Sequence, residues 1–314
     1  MDKYKFRSSL GMNKLVSNQK VDNTRTLHKM VTVDGLSIFY REAGDPANPK
    51  IVLLHGFPSS SHQYRNLMST LADHFHVIAP DYPGFGNSDL PNPDKFNYTF
   101  DRLSEVIEDF LKTIGFMHFG LYMYDYGGPV GFRIMTRNSE WIEWIVIQNA
   151  NAYEIGLNSA WDGLRAFWKN RTSETQAPLY QFLQLDTIRQ IYLYGHKDPE
   201  AINPDNWNMD YRFTERPHAQ RVQLDLFYDY RTNVAMYPLW QKFLREHQPP
   251  ALIFWGQNDL FFTREGGEAY LKDLPNAEIH RLNSGHFAVE DCLGEISSNI
   301  KRFYPEKVVK EAGD

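Results

Sequence analysis

The run Leu121-Tyr-Met-Tyr-Asp-Tyr-Gly-Gly-Pro-Val-Gly131 decides how the rest of the chain is read. It opens apolar and β-prone, reaches a single carboxylate at Asp125, then turns through Gly127 and Gly128 into a helical pattern. That order predicts a strand, a sharp turn and a helix, with Asp125 at the apex. Only small neighbours fit such an apex. Gly127 and Gly128 supply them on the far side, and Met123 is the bulky exception on the near side.

Upstream, Leu27 to Val33 alternates, Asp34-Gly35 signals a tight turn, and Leu36 to Glu42 completes a β-hairpin. Lys50-Ile-Val-Leu-Leu-His55 and His76-Val-Ile-Ala79 are short apolar runs, as expected of strands buried on both faces. Ser59 to Ser61 can cap a helix that begins near His62. Phe100, Leu103, Ile107, Phe110, Leu111 and Ile114 repeat at helical spacing, and Gly115 ends that helix. Downstream, Val130 and Ile134 share a helix face, and Trp144 to Gln148 is another buried strand.

From 151 to 247 the strand–helix alternation stops, and the stretch is helical and aromatic. Alternation resumes with a strand at Ala251 to Gly256, a helix near Arg264 to Lys272, a strand at Ala277 to Leu282 and a last helix carrying Ile296, Ile300 and Phe303. The plan is therefore a flexible extension at 1–25, a core at 26–150 and 248–306, a helical cap at 151–247, and a tail at 307–314. Such βαβ order predicts a mostly parallel sheet with its ligand site at the carboxyl ends of the strands. His55, Asp125 and Asp259 all fall at or just after such ends.

Composition narrows the function. Of 314 residues, 42% are apolar, enough for a sizeable core, and 15% are aromatic, which suits an apolar small-molecule pocket as well as core filling. A net charge of -6 with no long basic run argues against a nucleic-acid partner. No apolar run approaches the ~20 residues that cross a bilayer. The single cysteine, Cys292, excludes an internal disulfide and fits a reducing compartment, so the expected location is cytoplasmic. Residues 1–25 are polar and basic without an apolar core, unlike a secretory signal.

Five segments together carry a family resemblance: His55-Gly-Phe-Pro58, the loop Asp81-Tyr-Pro-Gly-Phe-Gly-Asn-Ser-Asp89, the Asp125 turn, Trp255-Gly-Gln-Asn-Asp259 and Gly285-His286. The turn matches the G-x-S-x-G nucleophile elbow in outline, with Asp in place of Ser. In this order and spacing, from Leu27 to Tyr304, the chain resembles the α/β-hydrolases that use an aspartate nucleophile, the epoxide hydrolases and haloalkane dehalogenases. The resemblance implies an α/β-hydrolase fold: a mostly parallel eight-stranded sheet flanked by helices, with a helical cap inserted after strand 6.

The chemistry follows from the residue types. A carboxylate is ionised at neutral pH and displaces a leaving group from an sp³ carbon directly, leaving an alkyl ester on the protein. Asp125 is then the nucleophile, His286 the base that drives water into the ester, and Asp259 the acid that orients the imidazole. Glu154, just beyond the Trp144–Gln148 strand, is the competing acid. The backbone N–H groups of Phe57 and Tyr126 are expected to form the oxyanion hole. Asp81 and Asp89 read as loop organisers and His55 as a loop-shaping residue.

The leaving group divides the family. Dehalogenases resembling this chain place a Trp after the nucleophile and often an Asn after His-Gly; here those positions hold Tyr126 and Phe57, while Ser59 to Asn66 is similar to dehalogenases. Epoxide hydrolases protonate the alkoxide from two cap tyrosines. Tyr230-Arg-Thr-Asn233 resembles that segment, and Tyr192 or Tyr194 is the candidate second donor. Tyr192, Tyr194 and Trp161 are the expected substrate-binding side chains of the cap. The expectation is a cofactor-free, metal-free hydrolase, monomer or homodimer, that opens a small apolar epoxide to a diol. Hydrolytic dehalogenation is the alternative, and a non-catalytic binding protein on this fold is another. An ordinary esterase would need Ser at the apex.

Overall fold

A computed structural model of the chain describes residues 24–310, so the expected N-terminal extension lies almost wholly outside the described residues. The strands are β1 (Leu27–Val33), β2 (Leu36–Ala43), β3 (Lys50–Leu54), β4 (His76–Pro80), β5 (Phe119–Tyr124), β6 (Ile142–Gln148), β7 (Ala251–Gly256) and β8 (Glu278–Leu282). They form one sheet in the order β1-β2-β4-β3-β5-β6-β7-β8. Both pairings of β2 are antiparallel and the remaining five pairings are parallel. Every residue of β5 and β7 is buried, which is why those strands read as unbroken apolar runs.

The helices of the sheet's first half are α1 (Arg65–Leu71), α2 (Phe100–Thr113) and α3 (Gly127–Arg137). The insertion between β6 and β7 carries α4 (Asp162–Lys169), α5 (Ser173–Gln176), α6 (Leu185–Leu193), α7 (Asp205–Thr214) and α8 (Ala219–His247); α9 (Arg264–Ala269) and α10 (Leu293–Phe303) follow. Thr99 caps α2 by accepting from the Arg102 N–H, and Phe100, Leu103, Ile107, Phe110 and Leu111 of the expected stripe are buried, whereas Ile114 is the half-buried residue just past the helix end. Phe75, Trp144, Phe303 and Tyr304 pack together where α10 meets the sheet. Elsewhere, Phe132 of α3 lies flat on Trp240 of α8.

The insertion is anchored to the core by polar contacts. Asp229 of α8 accepts from the Phe100 N–H at 2.8 Å, and Arg133 of α3 donates to Asn233 at 2.7 Å and to Thr232 at 3.1 Å.

Ser60, within the expected capping run, accepts from the His62 N–H, and the segment it caps begins as a 3₁₀ turn, Ser61–Tyr64, before becoming α-helical at Arg65. The chain also stays helical beyond 306, in a wide-turned segment Tyr304–Val309, because Tyr304 packs on Phe75 and Trp144 and Glu306 accepts from Arg302 one turn back. No helix among the described residues is long and apolar enough to cross a membrane.

Candidate active site

The strand, turn and helix around Asp125 form as the sequence predicts. Asp125 takes φ +45°, a left-handed conformation that a residue with a side chain adopts only under constraint. The constraint comes from the crowding of α3 against β3. A Cβ on Gly127 would lie 2.1 Å from the Leu54 carbonyl oxygen, so the turn closes only with glycine there. Asp125 is thereby lifted from the carboxyl end of β5 into a buried cavity.

The Phe57 N–H donates to Asp125 Oδ1 at 2.6 Å, and the Tyr126 N–H also holds the carboxylate. Both backbone donors assigned to the oxyanion hole therefore converge on Asp125. His286, after β8, places Nε2 3.9 Å from Asp125 Oδ2, and its Nδ1 lies 2.7 Å from Asp259 Oδ2. Asp259, after β7, is fixed on its other oxygen by the N–H groups of Phe261 and Phe262 at 2.7 and 3.3 Å. Glu154 sits in an exposed 3₁₀ turn, and the hydrogen bond to the His286 imidazole comes from Asp259.

One residue of this network was not anticipated. Asn149, buried at the end of β6 with φ +41°, donates to Asp259 Oδ2 at 2.7 Å and to the Gly256 carbonyl at 3.2 Å, and accepts from the Gly256 N–H. It thus ties the acid to the strand that carries it. Its partners lie more than a hundred residues away in sequence, so no local pattern marks it.

Burial dominates the electrostatics. It pushes the Asp125 carboxyl up to about 6, against the opposing pull of His286 and the two backbone N–H groups. Burial lowers the His286 pKa, but Asp259, by charge and hydrogen bond, and Asp125 outweigh it, and the net shift is upward. His55 is driven down to about 3 by burial and is therefore neutral; it accepts from the Tyr82 N–H and stacks on the Tyr82 ring, shaping the loop as expected. Asp81 accepts from the Ser61 and Asn87 N–H groups and Asp89 from the Ser37 N–H, so both organise their loop.

The cavity above Asp125 measures about 40 Å³ and is walled mainly by Phe57, Trp161, Leu164, Phe182, Phe227 and Phe261. The titratable residues of its lining are Asp125, His286, Tyr126 and Tyr230. The Tyr126 hydroxyl is without a hydrogen-bond partner, and that of Tyr230 lies beside the Tyr237 phenol. Burial first, then Asp125 for Tyr126 and Tyr237 with Asp125 for Tyr230, raises both far above the usual tyrosine range, so both stay protonated. Trp161 lines the cavity as expected, but its indole N–H is spent on the Phe261 carbonyl at 2.8 Å, and that of Trp168 on the Phe227 carbonyl at 2.7 Å.

Tyr192 and Tyr194 lie outside the cavity wall, contrary to their assignment as substrate-binding residues. Helix α6 turns Tyr192 towards Asp210 of α7, to which its hydroxyl donates at 2.6 Å, while its ring stacks on Phe287 at 3.8 Å. Tyr194 ends the helix and is half exposed. Sequence reasoning missed Leu164, Phe182, Phe227 and Phe261, whose types fit a core equally well. Among the described residues, no cluster of three metal-ligating side chains occurs.

A mostly parallel eight-stranded sheet with a left-handed strand-to-helix turn after a central strand and a histidine after the last strand is the arrangement of the alpha/beta hydrolase fold, and here the turn carries Asp125. The sequence pattern of that family matches residues 49–291, and the chain belongs to it. It is 40% identical over 284 residues to the uncharacterized hydrolase YNR064C of Saccharomyces cerevisiae, covering 89% of this chain and 97% of that protein. It is similar to a haloalkane dehalogenase of Mycobacterium marinum, with 27% identity over 84% of this chain and 88% of the relative. It is also similar to epoxide hydrolase 3 of Xenopus tropicalis, with 23% identity over 87% of this chain and 76% of the relative.

Proposed function

We infer that this hydrolase opens a small, apolar epoxide to a vicinal diol through a covalent ester on Asp125. The observation that carries the reading is the make-up of the cavity lining: one buried carboxylate together with Tyr126 and Tyr230, both held protonated, with the nearby indole N–H groups tied to backbone carbonyls. A departing halide needs N–H or similar donors, whereas an epoxide oxygen stays on the substrate as an alkoxide and needs a proton. Phenols held protonated by burial supply that proton.

In the first step the Asp125 carboxylate attacks an epoxide carbon, the carbon–oxygen bond of the ring breaks, and the alkoxide takes the Tyr230 proton. Tyr126 is the second buried phenol of the cavity and takes the place expected of Tyr192 or Tyr194. In the second step His286 Nε2 removes a proton from water while the water oxygen attacks the ester carbon. The tetrahedral oxyanion is stabilised by the Phe57 and Tyr126 N–H groups. Collapse releases the diol and restores the carboxylate, and the imidazolium proton returns to the phenolate, so the balance is epoxide plus water to diol. Asp259 and Asn149 hold the imidazole in the productive tautomer. The insertion acts as a cap, and its aromatic wall selects apolar substrates.

The test is trapping. His286→Ala is incubated separately with a panel of epoxides and a panel of alkyl halides, and the intact protein is weighed and peptide-mapped. A gain of the whole epoxide mass on Asp125 is expected. A gain of the alkyl group from halides alone would make the protein a dehalogenase, and no adduct from either panel would end the ester mechanism.

A further inference from the structure

We propose that the loop Tyr194-Gly195-His196 of the insertion is a clamp across the two loops that carry Asp259 and His286, with His196 a positioning residue for ester hydrolysis. The inference rests on the ester reading above and goes beyond it by naming what holds the base in place.

The first observation is steric. Gly195, at φ +77°, sits so tightly on the β7 loop that a Cβ there would lie 2.6 Å from Asn258 Cβ and 2.7 Å from the Asn258 carbonyl oxygen. Gly285, immediately before the base, is packed from the other side: its Cβ would lie 1.9 Å from the Tyr194 carbonyl oxygen. Two glycines that face each other across an interface, each required by the other element's backbone, mark a close and specific docking.

Hydrogen bonding adds a second, independent observation. Asn258, the residue before the acid, donates from Nδ2 to the Gly195 carbonyl at 2.8 Å. The Asn258 N–H in turn donates to the Ser284 carbonyl at 3.0 Å, joining the two catalytic loops. His196 is buried, with Nδ1 3.0 Å from Asp291 Oδ2 and 3.4 Å from Ser284 Oγ, and Ser284 Oγ donates to Asp291 Oδ1 at 2.6 Å. Ser284 and Asp291 bracket His286 in sequence. A side chain from the insertion thus lies against both ends of the loop on which the base rides, within hydrogen-bond reach of Ser284 and at ion-pair distance from Asp291.

The clamp touches the acid and base loops, whereas Asp125 hangs from β5 and α3, which it does not contact through any of these bonds. The two half-reactions should therefore separate. Attack by an ionised carboxylate needs no base, while ester hydrolysis does. Loosening the clamp slows the second step and leaves the first, so the ester accumulates. A misplacement of about 1 Å costs up to roughly 10²-fold in rate.

The experiment is rapid-quench mass spectrometry of full-length His196→Ala, His196→Asn and Gly195→Ala, with wild type and His286→Ala alongside, using styrene oxide as the probe. For His196→Ala the expectation is an alkylation rate within about twofold of wild type, ester hydrolysis slowed about tenfold or more, and a higher steady-state ester fraction. His196→Asn, whose amide nitrogen lies near the place of Nδ1, restores hydrolysis. Gly195→Ala reproduces the ester accumulation from a different atom, and thermal melts identify any variant that fails to fold. Ester in His286→Ala but no enrichment in His196→Ala or Gly195→Ala overturns the clamp alone, as does an equal slowing of both steps in folded protein. No ester in His286→Ala overturns the ester reading and the clamp with it.

Discussion

On the ester reading Asp125 works under opposing demands, since the burial that strips water from its carboxylate and favours attack also makes it reluctant to ionise. With its pKa near 6, single-turnover ester formation should rise with pH through about 6 and level off above it, because only the ionised form attacks. A profile flat from pH 5 to 8 would remove Asp125 from the first step. Alkylation also turns Asp125 from an anion into a neutral ester. That deletes one of the charges that favour protonated His286, so the base is released for the step that needs it. Asp125→Ala should lower turnover by roughly 10⁴-fold or more with the fold intact, checked by steady-state kinetics and a melting curve. Tyr230→Phe should slow epoxide alkylation by about 10²-fold and leave any alkyl-halide reaction unchanged; comparable losses on both substrates would count against its proton. Asp259→Asn should cost far more in ester hydrolysis than Glu154→Gln, as only Asp259 reaches the imidazole.

At the scale of elements, the helices of the insertion meet the core through buried polar groups, and one of these carries a pH signature. Asp210 of α7 is fully buried beneath the Tyr192 hydroxyl, and burial raises its carboxyl to about 7. A carboxyl raised in the folded state contributes stability below its unfolded value of about 4 and loses it as pH climbs through the folded value. Asp210→Asn should therefore raise Tm at pH 8 by about 2 °C or more and give a clearly smaller gain at pH 5, where only part of the penalty has developed. An equal gain at both pH values would sink the assignment.

The same helices show where sequence reading stops. The strands were legible because a strand covered on both faces must be apolar throughout, as β5 and β7 are. The apex of the elbow was legible because its glycines have one physical use. Tyr192 and Tyr194 were misplaced because an aromatic residue on a short helix carries no mark of which way the helix faces. That direction is set by long-range partners such as Asp210 and Phe287.

Over the whole molecule, the sheet brings together residues from three distant segments at the ends of β5, β7 and β8. The order of elements alone places Asp125, Asp259 and His286 at that edge, since consecutive parallel strands all point one way. Asn149 and the aromatic wall escaped the same reasoning. Their roles depend on packing between segments distant in sequence, more than a hundred residues for Asn149 and Asp259, and asparagine or phenylalanine there reads as ordinary interior.

The chain leaves the sheet for its insertion after β6 and returns in β7, and these two strands are hydrogen-bonded neighbours, with Ile145 opposite Ala251. To the sheet, about a hundred residues are a single loop with adjacent ends. Such a loop can be exchanged in evolution or in the laboratory as one cassette, much as a lathe accepts different tool heads without rebuilding its bed. Asp125, Asp259 and His286 stay with the sheet, whereas Tyr230 and most of the cavity's aromatic wall travel with the cassette, so a transplanted one has to bring a counterpart of Tyr230 as well as of Gly195 and His196 to seat on the bed.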